Sequence, residues 1–115
     1  MAKHDPQLDR LFAALSDPTR RATISRLTRG PATVSELAAA HDMALPSFLG
    51  HLEKLERAGL IRSSKAGRVR TCRLADDALA PARDWLSEQR ALWRARLGQF
   101  DDYVANLMKE KNDGS

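Results

Sequence analysis

The basic side chains around Gly67 are the first feature of the sequence that suggests chemistry. Lys65, Arg68 and Arg70 lie close together in the chain, and Arg73 follows as a further candidate. Guanidinium and ammonium groups bind phosphate oxygens through charge-assisted hydrogen bonds, and an arginine on a loop can enter a narrow minor groove. We therefore expect this segment to contact nucleic acid. The alternative is that these charges only keep a surface turn hydrated.

The sequence offers few ligands for a metal ion. Thiolate and imidazole groups bind soft or borderline metals, and the candidates are His4, His41, His51 and Cys72. These residues fall on four different predicted elements. We therefore expect no metal site within one chain, and no other cofactor.

Cys72 is the one cysteine, so the chain cannot form an internal disulfide. A redox switch is one alternative, because Arg70 and Arg73 beside it would lower the pKa of the thiol and favour the thiolate. The residues around it alternate in character, however, and Cys72 shares a face with Leu74. This pattern favours a packed thiol.

Catalysis finds no support in the sequence. The paired carboxylates are Asp76-Asp77 and Asp101-Asp102, and neighbours in sequence point apart on a helix. There is no glycine-rich phosphate loop, and no base is placed beside Cys72. We do not expect an enzyme.

Helix signals indicate the elements that position the candidate side chains. Asp17-Pro18 is typical of a helix start, because Asp accepts an unpaired backbone N–H and Pro needs no donor there. One helix is therefore predicted over about residues 7–15 and a second over about 18–28. The predicted apolar positions are Leu8, Leu11, Phe12 and Leu15 in the first helix and Ala22, Ile24 and Leu27 in the second. Arg20 and Arg21 either contact phosphate or pair with acidic side chains.

Two further short helices predict a helix-turn-helix. Thr33 and Glu36 fit a capping box that opens a helix through about His41. The next helix has Pro46 in its first turn, runs to Ala58 and is followed by Gly59 as its C-cap. Its inward positions are Phe48, Leu52 and Leu55. Two short helices joined by a tight turn form this motif.

Residues 60–65 and 69–74 flank Ala66-Gly67-Arg68 and predict a β-hairpin, because Gly67 supplies the positive φ that tight hairpins need. A helix-turn-helix followed by such a hairpin is a winged helix-turn-helix. The predicted fold class is therefore mainly α, with a two-stranded wing and a long C-terminal helix.

That last helix is predicted from about Ala78 to Lys109, with Pro81 in its first turn. Apolar residues recur along it at seven-residue intervals, a stripe longer than one small domain covers. We expect this helix and the first one to join two copies, although packing on its own chain is an alternative. The expected dimer contacts are Leu8, Leu11, Phe12, Leu86, Trp93, Leu97, Phe100, Val104 and Leu107. An apolar effector pocket at this seam, lined by Trp85, Trp93, Phe100 and Tyr103, is a further alternative.

The length of 115 residues suits one domain, and the net charge of +4 is distributed unevenly. Residues 1–75 carry +6 and residues 76–115 carry −2, which favours an anionic partner for the first part. There is neither a membrane-spanning apolar run nor a signal sequence, so we expect a cytoplasmic protein without membrane contact. The expected divisions are 7–75 for the helical core, helix-turn-helix and wing, 76–110 for the dimerisation helix and 111–115 for a disordered tail.

At this point the sequence resembles the ArsR family of small dimeric winged-helix repressors. The segments that carry the resemblance are 15–21, 34–38, 51–61 and 67–69, which read LSDPTRR, VSELA, HLEKLERAGLI and GRV. Residues 42–47, 70–74, Trp85-Leu86 and Trp93 are similar to a branch without metal sites, often encoded beside SRPBCC-type proteins. Family metal sites use a cysteine pair where this chain has Ala38 and Ala40, or Asp/His pairs on the last helix, where this chain has no histidine.

The resemblance implies that residues 45–54 enter the major groove of double-stranded DNA. The expected DNA-contacting positions on this helix are Leu45, Pro46, Ser47, Leu49, Gly50, His51 and Lys54. Ser47 can contact a base or phosphate, His51 a phosphate or guanine N7, and the leucines a thymine methyl group. Gly50 would allow close approach of the helix.

The expected function is therefore that of a homodimeric repressor that binds an inverted-repeat operator and senses no metal. Two alternatives stay open. The winged helix could instead dock a protein through Leu45, Leu49 and Gly50, or bind DNA without regard to sequence.

Overall fold

The computed structural model describes residues 5–113, so that His4 and the last two residues of the predicted tail lie outside the described residues. The chain divides into two compact units, residues 1–82 and residues 83–115. Between residues 5 and 113, no helix is both long enough and apolar enough to cross a bilayer.

The elements follow the order expected of a winged helix. In chain order they are α1 (Pro6–Leu15), α2 (Pro18–Leu27), β1 (Ala32–Thr33), α3 (Val34–Ala39), α4 (Leu45–Arg57), β2 (Ile61–Ala66), β3 (Val69–Leu74) and α5 (Ala80–Asp113). The predicted helix-turn-helix is α3 and α4, and the predicted hairpin is β2 and β3. The winged helix-turn-helix prediction is confirmed.

Local capping explains where several helices begin. The side chain of Asp17 accepts a hydrogen bond from the backbone N–H of Arg20 at 3.1 Å, and Pro18 follows as the first helical residue of α2. Thr33 accepts from the backbone N–H of Glu36 at 3.1 Å, and its hydroxyl donates to the Glu36 carboxylate. The predicted start of α2 is therefore present. Of the predicted capping box the Thr33 cap is present, but the Glu36 carboxylate accepts from the Thr33 hydroxyl and not from the Thr33 backbone N–H.

The core of the first unit lies between α4, the other short helices and the sheet. Phe48, Leu52 and Leu55 of α4 have no exposed surface, as predicted. In α2 the prediction is wrong at one position, since Ala22 is exposed while Thr23 is buried. The Thr23 hydroxyl donates a hydrogen bond to the carbonyl of Thr19 at 2.9 Å. This polar residue can therefore take a buried position without leaving its hydroxyl unpaired.

The sheet has three strands in the order β1-β3-β2, one more than the predicted wing. Ala32 pairs with Cys72 and Thr33 with Thr71, so β3 has a neighbour on both sides. Between β2 and β3 the pairing continues to Ala66 and Val69, and Gly67 in the turn has a φ of +61°. The extra strand is only two residues long and carries no alternating pattern, so it could not be predicted from the sequence.

The described part of the second unit, residues 83–113, belongs to one continuous helix, α5. α5 begins at Ala80 and runs to Asp113, so residues 111–113 are helical rather than part of a disordered tail. Pro81 lies in its first turn, as predicted. Trp93 and Phe100 are each 61% exposed and Leu86 is 54% exposed. This helix therefore presents large apolar side chains to solvent.

Candidate nucleic-acid interface

The exposed surface of the first half of α4, residues 45–50, is mostly apolar. Leu45 and Leu49 lie one turn apart and are 53% and 37% exposed. The other expected contact positions on this helix that are also exposed are Pro46, Ser47, Gly50 and Lys54. Because the inward residues of α4 are fully buried, this surface is held on a rigid support.

Gly50 lies on this surface with open space above its Cα. A Cβ at this position would meet nothing within 4 Å. The packing of the first unit therefore does not require glycine here. The missing side chain matters for whatever approaches the helix from outside.

His51 differs from its neighbours because its ring contacts another helix. Its Nδ1 lies 2.9 Å from Nη1 of Arg20 and 3.8 Å from the carboxylate of Asp17, and its side chain is 22% exposed. Partial burial raises the pKa of Asp17, but hydrogen bonds from backbone N–H groups, that of Arg20 first, and nearby positive charge outweigh it, so the pKa lies below its ordinary value.

Arg20 and Arg21 are both held by the end of α1. Arg20 donates from Nε to the carbonyl of Ala14 at 2.7 Å, and Arg21 donates to the carbonyl of Leu15 at 2.9 Å. Of the two alternatives for these arginines, phosphate contact or acidic partners, the second is replaced by hydrogen bonds to backbone carbonyl groups. A helix end leaves such carbonyls unpaired, which explains why arginines a few residues later satisfy them.

The wing presents two exposed cations near its tip, Lys65 and Arg68. Together with Arg70 they line a surface groove whose opposite wall is the start of α3, including Thr33 and Ser35. Ser35 was not among the contact residues predicted from the sequence. Its exposed hydroxyl beside three basic side chains makes it a further candidate for phosphate contact.

Arg70 lies in a different environment from the other wing cations. Its Nη2 donates to the carboxylate of Glu56 at 2.9 Å, and its Nε donates to the hydroxyl of Ser63 at 3.1 Å. Ser63 in turn donates to Glu56 at 2.8 Å. This triangle joins the second half of α4 to the hairpin. Arg70 therefore orients the wing, a role that the expectation of a free phosphate contact missed.

Cys72 lies on the central strand with no exposed surface. Burial raises the pKa of its thiol above the ordinary value, Arg70 opposes this change and Glu56 adds to it. Arg70 thus lowers this pKa as the redox alternative assumed, but loss of water outweighs its attraction and the net change is upward. The packed thiol is confirmed.

The potential metal ligands stay apart within residues 5–113, where no three His, Cys, Asp or Glu side chains converge on a point that could hold an ion. His41 stacks on Phe48 with ring centroids 5.4 Å apart. His51 pairs with Arg20, and Cys72 is in the core.

The residues expected at a dimer contact are exposed or half-buried, with one exception. Leu11 is 1% exposed and belongs to the core of its own unit, so it is unavailable to a second chain. On the same helix, Phe12 is 38% exposed and Leu8 is half-buried. The exposed large apolar residues of the expected set on α5 are Leu86, Trp93, Leu97, Phe100, Val104 and Leu107.

Comparison with known proteins places this arrangement in the class of helix-turn-helix transcriptional regulators. A family described as a helix-turn-helix domain matches residues 15–64. The HTH-type transcriptional regulator Rv2034 of Mycobacterium tuberculosis is 40% identical over 75 residues, which are 65% of this chain and 70% of that protein. The transcriptional repressor SdpR of Bacillus subtilis is 29% identical over 79 residues, which are 69% of this chain and 88% of that protein.

Solved structures agree with this class. The crystal structure of an ArsR family transcriptional regulator is 54% identical, with a TM-score of 0.76 over 82% of this chain and 97% of that one. A homodimeric winged helix-turn-helix DNA-binding domain from Mycobacterium bovis is 25% identical, with a TM-score of 0.59 over 80% of this chain and 94% of that one. The chain belongs to the ArsR family of transcriptional regulators.

Proposed function

We propose that this regulator is a homodimeric repressor that binds an inverted-repeat operator and requires no metal ion. The proposal rests on one observation: the first unit presents both the exposed surface of α4 and a cationic wing. Hydrogen bonds among Glu56, Ser63 and Arg70 join the wing to α4. SdpR, a relative, is a repressor, and the Mycobacterium bovis domain is homodimeric. The proposal keeps the cytoplasmic location expected from the sequence.

In this proposal α4 enters the major groove and the wing contacts the backbone. Ser47 and His51 hydrogen-bond to bases or phosphates, and Leu45 and Leu49 contact thymine methyl groups. Gly50 allows the helix to approach closely because nothing projects above it. Direct readout of the bases is weak, since residues 45–54, which would enter the groove, include no Arg, Asn or Gln. Selection of sequence therefore depends in part on DNA shape.

Lys65, Arg68 and Ser35 bind phosphates on either side of the groove that they line. Arg70 supports them by holding the hairpin against α4. Each dimer then neutralises several phosphates, and binding weakens steeply with salt.

The exposed apolar row of α5, together with Leu8 and Phe12 of α1, forms the contact between two copies. An exposed apolar surface of this length is typical of a protein interface. Two copies related by a two-fold axis would place their recognition helices about 34 Å apart, which matches half-sites one helical turn apart.

The test is to mix the purified protein with sheared genomic DNA from its source at about 150 mM salt and to sequence the bound fragments, because specific binding survives this salt whereas most non-specific binding does not. A sharp peak that contains an inverted repeat is the expected result. Flat coverage with salt-dependent binding would instead support a sequence-neutral DNA binder, and no DNA binding would support protein docking through Leu45 and Leu49.

Variants then separate the parts of the interface. The steepness with which DNA binding weakens in salt is the slope of the logarithm of the binding constant against the logarithm of the salt concentration. Arg68→Ala should reduce the magnitude of this slope for a dimer by about two, because one phosphate contact is lost from each protomer. Arg62→Ala is the matched control, since Arg62 is exposed on the same hairpin but does not line the groove. Ser47→Ala should reduce the ratio of the affinity for operator DNA to the affinity for random DNA, without a comparable change in the salt slope.

A further inference from the structure

Arg20 is a buried cation where the end of α1, the start of α2 and the middle of α4 meet. It is 7% exposed. Its Nε donates to the carbonyl of Ala14 at 2.7 Å and its Nη2 to the carbonyl of Ala13 at 3.2 Å. The guanidinium plane is therefore fixed by the C-terminal end of α1. The third nitrogen of the guanidinium, Nη1, is therefore held in a fixed position.

The remaining contact of Arg20, through Nη1, selects between the two tautomers of the His51 ring. Nη1 of Arg20 lies 2.9 Å from Nδ1 of His51. A guanidinium carries donors and no acceptor, so Nδ1 must accept this hydrogen bond. An imidazole that accepts through Nδ1 is neutral and carries its proton on Nε2. The contact is therefore compatible with one tautomer of His51.

The carboxylate of Asp17 does not support the opposite tautomer. A proton on Nδ1 would need an acceptor, and the nearest charged oxygen, Oδ2 of Asp17, is 3.8 Å away. This distance is too long for a hydrogen bond. The same oxygen already accepts from the Arg20 backbone N–H at 3.1 Å.

The outer nitrogen of His51 is then a donor that solvent can reach. The contacts recorded for the ring nitrogens of His51 all involve Nδ1. Within residues 5–113 no buried side-chain nitrogen or oxygen lacks a hydrogen-bond partner, so Nε2 is not buried. Ser47 and Lys54 lie one turn before and one turn after His51 on α4, which places Nε2–H beside the proposed contact surface.

We infer that Arg20 is a positioning residue that holds His51 as a neutral Nε2–H donor toward DNA. The inference rests on the proposed function for the DNA partner, but the tautomer is a property of the free protein. As a donor, His51 can bind a phosphate oxygen or a base acceptor such as guanine N7 or O6. The major-groove hydrogen-bonding group of cytosine is a donor, so a base contact from His51 disfavours cytosine.

The first test is NMR of the free protein, with long-range proton–nitrogen correlation of the histidine rings. His51 is identified by comparison with the spectrum of His51→Gln. The expected result is the neutral tautomer with the proton on Nε2, and a proton predominantly on Nδ1 would overturn the inference. This measurement needs no variant of Arg20 and no DNA.

Arg20→Lys removes the planar guanidinium and should turn the single tautomer of His51 into a mixture. Arg21→Lys is the matched control, because Arg21 also caps α1 but is exposed and its capping hydrogen bond goes to Leu15. The control should keep the wild-type tautomer. A folded Arg20→Lys protein with an unchanged His51 spectrum would contradict the positioning role.

The second test measures coupling on DNA, with a fragment recovered from the genomic experiment as the probe. Arg20→Lys and His51→Ala should each weaken binding by about tenfold, the effect of losing one hydrogen bond to a charged group. The double variant should also lose about tenfold, because both changes remove the same contact. A hundredfold loss in the double variant would show independent roles and reject the inference.

These outcomes separate the two proposals. A wild-type protein that binds no DNA would reject the proposed function, and with it the DNA role of His51. A protein that binds its operator but carries the Nδ1–H tautomer would reject the present inference alone.

Discussion

The two units of the chain differ in what covers their apolar side chains. In the first unit Phe48, Leu52 and Leu55 have no exposed surface. In the second unit Trp93 and Phe100 are each 61% exposed. The first unit thus provides its own core, whereas the second leaves aromatic rings in water. The comparison teaches that the first unit buries a core of large apolar side chains within itself, whereas the large apolar side chains of the second unit remain available to another surface.

The largest effect should follow from opening the core of the first unit. Phe48→Ala removes a ring with no exposed surface and should lower the free energy of unfolding by about 3–5 kcal/mol. Denaturant unfolding followed by circular dichroism measures this change. The control is Leu49→Ala, one residue away and 37% exposed, for which we expect less than about 1.5 kcal/mol. Equal losses in both variants would break the comparison.

The next effect concerns self-association through the second unit. Trp93→Glu combined with Phe100→Glu should weaken the dimer at least about a hundredfold, because aromatic residues at interfaces often contribute more than 2 kcal/mol each. Sedimentation equilibrium measures the association, and circular dichroism should show that the helices remain. Ala91→Glu with Ala105→Glu adds the same charge on the opposite face of α5 and should leave the dimer intact. Equal dissociation by both pairs would remove the apolar row from the proposed interface.

The rate at which a reagent labels Cys72 reports whether the core of the first unit remains packed when the proposed dimer dissociates. Burial raises the pKa of the thiol, so a thiol reagent should react at least about 100-fold more slowly with the folded than with the denatured protein. The variant that combines Trp93→Glu with Phe100→Glu should react no faster than wild type. Faster labelling would show that assembly also supports the core.

Because its pKa is raised, the contribution of the Cys72 thiol to the stability of the fold should also change at alkaline pH. The unfolded chain loses the Cys72 proton before the folded chain does. The stability that this thiol contributes is therefore complete below its ordinary pKa and declines as pH rises above it. Cys72→Ser or Cys72→Ala should remove this alkaline component.

The smallest effect concerns acidification of the first unit. Because the pKa of Asp17 is lowered, its contribution to stability is complete above about pH 4, the ordinary pKa range of aspartate, and is lost as pH falls through the lowered value. Asp17→Asn keeps an acceptor at the start of α2 but removes this dependence. The difference in stability between wild type and variant should therefore shrink as pH falls below about 4. A constant difference would show that the carboxylate charge contributes nothing there.

Most of the fold was predictable because its signals are local. Asp17-Pro18, the Thr33 capping box and Gly67 each act within a few residues of chain, so their consequences can be inferred without a structure. The exposed surface of α4 and the cations of the wing were predictable for the same reason. The short strand β1 was not, because two residues carry no period.

The sequence by itself determined the order of the helices and the hairpin, the uncovered apolar row of α5 and the basic character of the wing. These features follow from side-chain type and from periods that every helix or strand obeys. The tertiary structure alone decided which partner each polar side chain meets. Arg20 reaches His51 across 31 positions of chain and Arg70 reaches Glu56 across 14. It also decided that Leu11 faces inward while Phe12 is exposed. Such choices depend on how separate elements pack, and no local pattern in one element records the neighbour it will acquire.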